Sequence, residues 1–197
     1  MKYLVTIAFL FLTACTVSQP HIVEYRIKPP LPTKSYDATE CKEKSIKVSQ
    51  AFSANSLMVK KMKYTSEGFK EYSFNESEWS QSPNRAITQE IVRSIRASKL
   101  FRSVQSYKSR SESELILEST IEDFSQYFNE KEKHSYVKVL LSMSLLDAKT
   151  GRVLGMKQFS KKLQSETLDA QGGVKALNRA LADTLIQSNV WLNKVCR

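Results

Sequence analysis

Between residues 135 and 146 apolar and polar side chains alternate almost without a break. Val137, Val139, Leu141, Met143 and Leu145 share one parity, and Lys138, Ser142 and Ser144 share the other. A period of two over this length fits a strand with one buried and one wet face, and a helix cannot satisfy it. Asp147-Ala148-Lys149-Thr150-Gly151 follows, a turn closed by glycine, and residues 153–163 return as a second strand. Upstream, residues 114–128 carry Leu115, Leu117 and Ile121 in alternation, with Ile116 and Phe124 on the opposite parity. Consecutive strands joined by short turns predict an antiparallel sheet at the centre of the fold.

Further strands are expected before it. Ile46, Val48, Gln50 and Phe52 alternate with polar residues; in residues 57–64, Met58, Met62 and Tyr64 oppose Lys61 and Lys63. Residues 72–79 and 101–107 read as short extended segments. Two stretches have helical periodicity instead. Ser82-Pro83 offers an N-cap and a first-turn proline, and Ile87, Ile91 and Ile95 then fall on one stripe. Arg93, Arg96 and Lys99 gather toward the C-terminal end of that helix, where its dipole favours cations. Residues 169–195 carry Val174, Leu177, Leu181, Leu185, Leu192 and Val195, with Gly172 and Gly173 weakening the first turn. The order of elements predicts an α+β domain: a mainly antiparallel sheet with two amphipathic helices packed on it.

The N-terminus has a different character. Lys2 precedes an apolar run of about nine residues ending at Leu12, too short to span a bilayer, which needs roughly 20. Leu12-Thr13-Ala14-Cys15 then resembles the lipobox of bacterial lipoproteins. That resemblance implies a signal peptide over residues 1–14, cleavage before Cys15, and acylation (palmitate among the chains) of the Cys15 thiol and amine. Two or more chains anchor a protein stably to a membrane. Thr16 follows the cysteine where aspartate would favour inner-membrane retention in enteric-type lipoproteins. It leans the assignment toward the outer membrane, facing the periplasm, and leaves inner-membrane anchoring open. Pro20, Pro29, Pro30 and Pro32 fall in the next stretch, so residues 15–42 read as a lipidated N-terminus and proline-rich tether, and residues 43–197 as the globular domain. Cys41 and Cys196 remain as an even pair in an exported chain, which suggests a disulfide closing the two ends of the domain. Two free thiols are the alternative.

The formal net charge is +10, and only Lys2 leaves with the signal peptide. Such a balance favours anionic partners such as lipid headgroups or cell-wall polymers, and export argues against nucleic acid. The Lys60-Lys61-Lys63 cluster reads as a guarded sheet edge, with a headgroup or acidic-partner contact as the alternative. Tyr127 and Phe128 read as core residues, with exposed aromatics lining a groove as the alternative. The chemistry of an enzyme is not apparent. His21 and His134 lack a neighbouring second ligand, which argues against zinc and any other metal. No GxGxxG, P-loop or GxSxG pattern occurs, and no cofactor is implied. Glu122 and Asp123 are adjacent on a strand, which predicts that they face opposite sides.

Four groups of residues carry a wider resemblance: Tyr72, Trp79 and Pro83 approaching the first helix; Ser98-Lys99-Leu100-Phe101-Arg102-Ser103-Val104 closing it; Leu115, Glu118 and Ile121-Glu122-Asp123-Phe124 in the long strand; and Asp147 with Gly151-Arg152-Val153-Leu154 in the turn. In these the chain resembles the auxiliary lipoproteins of ABC-type transport systems associated with MCE proteins, the paraquat-inducible C-like group. The resemblance implies a non-enzymatic periplasmic component that docks on an MCE-type protein and ABC transporter subunits, and helps move phospholipid or another hydrophobic solute. It also leaves room for a homo-oligomer. No binding residue carries over. The alternative is an envelope structural or regulatory lipoprotein, such as a cell-wall synthase activator or an outer-membrane assembly factor.

Overall fold

In a computed structural model, residues 21–31, 35–36, 40–129 and 133–195 are described. Cys15 and Cys196 lie outside them, as do the signal peptide and Pro20. The strands are β1 (Val23–Tyr25), β2 (Ser45–Val48), β3 (Phe52–Ser53), β4 (Lys61–Ser66), β5 (Lys70–Trp79), β6 (Ser103–Ser106), β7 (Leu115–Phe128), β8 (Ser135–Asp147) and β9 (Val153–Gln164). Helix α1 spans Pro83–Ser98 and α2 spans Ala170–Val195. The fold is α+β, as the pattern of periods requires.

β7 is the axis of the sheet. On one side it pairs antiparallel with β8, which pairs antiparallel with β9. On the other side β2, β3 and β4 line up along it in succession, all parallel to it. β6 then extends the sheet beside β2, and β5 and β1 extend it beside β4. The long pairings are antiparallel; the parallel ones are short. The first residues of α2 pack on β7 and its remainder crosses β8 and β9, while α1 covers β2 and β6 and touches α2. Val137, Val139, Leu141, Met143 and Leu145 are buried beneath the helices with Ile87, Ile91, Leu181 and Leu192. The opposite face of the sheet carries no helix among the described residues.

Several local details depart from the pattern. Alternation predicts one strand through Phe52, but the chain breaks after Val48. Val48 pairs with Leu117 and Phe52 with Thr120. The chain therefore spends four residues where β7 spends three, and parity inverts. Phe52 lands on the helix-free face, 63% exposed. The break is held by Thr88 of α1, whose Oγ1 accepts from the Ala51 amide at 3.0 Å. Asn55-Ser56, a turn by composition, opens a short 3₁₀ turn over Asn55–Leu57, and the strand expected from Leu57 begins only at Lys61. Ser82 sits at the N-cap of α1, but its side chain makes no capping bond. The lysine cluster does not guard an edge, because β4 lies between β5 and β7. Lys60 instead pairs with Glu24 and Glu78, at 3.2 and 3.6 Å, and Lys63 with Glu71.

The described part of the proline-bearing stretch is docked, not free. β1 adds to β5, and Ile27 and Pro29 are buried. The Lys28 amide donates to Asn178 Oδ1 at 2.6 Å, and Arg93 Nη2 donates to the Pro29 carbonyl at 2.7 Å. The Tyr36 amide donates to the Ser98 carbonyl at 3.1 Å.

Candidate functional site

The helix-free face gathers most of the polar chemistry of the molecule. Its centre is a β-bulge in β7. Ile121 pairs with Leu141, and the next pair is Asp123 with Leu140, so Glu122 is an extra residue. The bulge corrects the expectation that Glu122 and Asp123 face opposite sides. Both reach the face of β8 that bears Lys138 and Ser142. Glu122 accepts from Ser142 Oγ and, at 2.9 and 3.1 Å, from Gln158 Nε2. Asp123 Oδ2 accepts from the Tyr127 hydroxyl at 2.7 Å and from Lys138 Nζ at 3.2 Å.

Tyr127 is not a core residue. It lies on this face, stacked on Tyr136 with ring centres 5.2 Å apart and planes 8° from parallel. Lys162 Nζ stands 3.6 Å from the Tyr136 ring centre, a cation–π contact. Burial, followed by the bond to Asp123, raises the Tyr127 pKa far above the ordinary phenol value. The hydroxyl therefore keeps its proton and serves as a donor. Phe128, on the other parity, packs with Tyr64 at 5.1 Å. Each carboxylate of the bulge is committed to partners, so the cluster forms a braced, hydrogen-bonded surface.

Two recesses flank this surface. One, of about 480 Å³, runs past Gln50, Ala51, Phe52, Met58, Asn84, Tyr107 and Glu118. It exists because the break after β2 turns Phe52 outward. The other, of about 710 Å³, lies beside the β8–β9 turn and is lined by Ser45, Lys47, Arg102, Glu114, Ile116 and Lys149 among others. Glu114 Oε2 accepts from the Ser45 amide and hydroxyl at 2.8 Å each, and these bonds lower its pKa. Lys47, Arg102 and Lys149 line this recess together with Glu112 and Glu114, and Arg102 pairs with Glu114 at 3.4 Å.

Of the three cysteines, Cys41 alone is described. It is fully buried in the Glu40–Glu43 turn and is disulfide-bonded. His21 and His134 are exposed, and among the described residues no group of His, Cys, Asp and Glu side chains converges to hold a metal ion. No described helix is long and apolar enough to cross a membrane. The surface residues Phe52, Glu122 and Asp123 escape a reading by strict alternation. The change of apolar parity between Ile121 and Phe124 is the one sign of the bulge in the sequence.

No family model matches the chain, and no curated protein matches its sequence. Solved structures do share its fold. A Xanthomonas campestris protein of the DUF330 family superposes with a TM-score of 0.77 at 15% identity, over 88% of this chain and 96% of that one. An uncharacterized protein superposes with a TM-score of 0.66 at 15% identity, over 87% of this chain and 99% of that one. A looser match is lipoprotein GNA1162 from Neisseria meningitidis, with a TM-score of 0.41 at 12% identity over 75% and 96% of the two chains. The first two show that the chain shares its α+β fold with them.

Proposed function

We propose that this chain is a lipid-anchored envelope protein, non-enzymatic, acting as an auxiliary component of an ABC/MCE-type system that moves phospholipid or another hydrophobic solute. The observation that carries the reading is the pairing of a lipobox-like sequence at Cys15 with a body that, among the described residues, leaves one sheet face free of helices. The lipid fixes the place of action, and the open face offers a rigid surface for a partner. The motifs shared with the transport lipoproteins point to the outer membrane, and the partner is then an MCE-type protein. The 480 Å³ recess beside Phe52 and Met58 is the most apolar opening on that face and suits the tail of a hydrophobic solute.

A photo-crosslinking amino acid at Phe52, in cells, tests this. Capture of an MCE-type protein or a transporter subunit is the expected result. Capture of a penicillin-binding protein or an outer-membrane assembly factor would replace it with the structural or regulatory alternative. Incorporation of labelled palmitate, abolished by Cys15→Ala, tests the anchor separately.

A further inference from the structure

The entry of the chain into the sheet fixes which end of the body meets the membrane. β1 runs parallel to β5, with Val23 opposite Ser77 and Tyr25 opposite Trp79. The chain ahead of Val23 therefore approaches from the side on which β5 begins, at the tip of the β4–β5 hairpin. Cys15 lies eight residues before Val23, and Phe69 lies eight residues before Ser77. At about 3.3 Å per extended residue, both intervals come to about 26 Å. That length is the farthest Cys15 can lie from Val23, and it matches the distance to the hairpin tip.

At that tip one large apolar side chain, Phe69, stands out between the charged residues Glu67 and Lys70. Phe69 is 83% exposed, the most exposed large hydrophobic side chain among the described residues. Glu67 and Gly68 both hold positive φ, at 52° and 80°, which makes the turn tight and pushes Phe69 outward. The hairpin is braced at its base: Tyr64 packs against Tyr72, Phe74 and Phe128 at 5.5, 4.7 and 5.1 Å. Ser66 of β4 pairs with Phe128, so the end of β7 and the start of β8 lie at the same level. Leu168, 48% exposed, follows β9 at this end; Lys70 pairs with Glu67 at 2.6 Å, and Lys133 adds a cation. An exposed aromatic ring among charged side chains suits the boundary between headgroups and acyl chains.

We propose that the tip of the β4–β5 hairpin, led by Phe69, rests in the headgroup–acyl boundary of the membrane that holds the anchor. This rests on the reading of Cys15 as lipidated. The long strands then stand upright on the bilayer. The β8–β9 turn and its charged recess face away from it by about 40 Å, the length of a 13-residue strand.

The test uses the full chain, processed in cells and reconstituted in phosphatidylethanolamine–phosphatidylglycerol vesicles whose acyl chains carry bromine. The native tryptophans, Trp79 and Trp191, are buried and set the background. Phe69→Trp is expected to gain emission that shifts to the blue and is quenched by the brominated lipid. Phe52→Trp, whose strand partner Thr120 lies eight residues from Phe128, is expected to escape quenching. Palmitate incorporation is read on the same samples. Labelled protein in which Phe69→Trp is quenched no more than Phe52→Trp overturns the proposal and leaves the anchor standing. Absence of the label overturns the anchor, and the proposal with it.

Discussion

Gly173 in the first turn of α2 lies so close to Gln126 of β7 that a Cβ on the glycine would overlap the Gln126 side-chain carbonyl. Gln126 has no room to yield. It is 2% exposed, and its Nε2 donates to Ser135 Oγ at 3.0 Å and to the Asp169 carbonyl at 3.3 Å. One side chain thus ties β7, β8 and the start of α2 together. The glycine that weakens helix propensity is what admits the contact. Gly173→Ala is expected to lower stability by about 1–3 kcal/mol, the usual cost of overpacking, despite alanine's better propensity. A urea midpoint equal to or above that of the parent protein would count against this account.

Thr88 joins α1 to the break between β2 and β3. Its Oγ1 accepts from the Ala51 amide and donates to the Asn84 carbonyl at 2.6 Å, all away from solvent. Thr88→Val keeps the volume and removes the acceptor, leaving the buried Ala51 amide unpaired. The expected loss is about 1–3 kcal/mol. Hydrogen exchange at Ala51 should rise well beyond that at core amides of β8. Unchanged exchange there would show that another group holds the break.

The helices and the long strands were legible because periodicity reports burial. The Ile87, Ile91 and Ile95 stripe and the alternation of β8 each have one reading. What alternation misses are the points where one residue is added. The extra residue before Phe52 and the extra residue at Glu122 each reverse parity, and each builds part of the open face. The parallel docking of β2, β3 and β4 on β7 was hidden for another reason. Those contacts join residues far apart in sequence, and no local pattern encodes them. The docking of Ile27 and Pro29 was hidden by composition, since prolines in a row read as a tether whether or not their neighbours pack.

Asp169 supplies a pH-dependent term. Its Oδ1 accepts from Thr167 Oγ1 at 2.6 Å and from the Gly172 amide at 2.8 Å, capping the start of α2. The Thr167 bond first, and the Gly172 bond second, lower its pKa. A carboxylate with a depressed folded pKa adds stability that is fully present above its unfolded value, about 3.9. That stability is lost as the pH falls through the folded value. Asp169→Ala is expected to cost about 1 kcal/mol at neutral pH, in the range of other lost caps. The difference between the two proteins should begin to narrow as the pH falls below about 4 and close as it passes through the folded value. A gap of constant size from neutral pH down to the acid limit of folding would assign the effect to packing and not to the charge.

Cys41 offers the last test. It is buried and disulfide-bonded in the turn before β2, and α2 ends at Val195, packed on the core one residue before Cys196. If the Cys15 thiol carries lipid, as proposed above, Cys196 is the partner we propose for Cys41. The bridge would fasten the end of the last helix to the entry of the sheet and close a loop of about 155 residues. Loop closure on that scale stabilises by roughly 5 kcal/mol as an upper figure. Unreduced mature protein, unfolded and alkylated, should take up no label, and reduction should free two thiols. Cys196→Ser should lower the unfolding midpoint by more than Gly173→Ala does and leave Cys41 alkylatable on unfolding. Two alkylatable thiols in the unreduced protein would rule the bridge out.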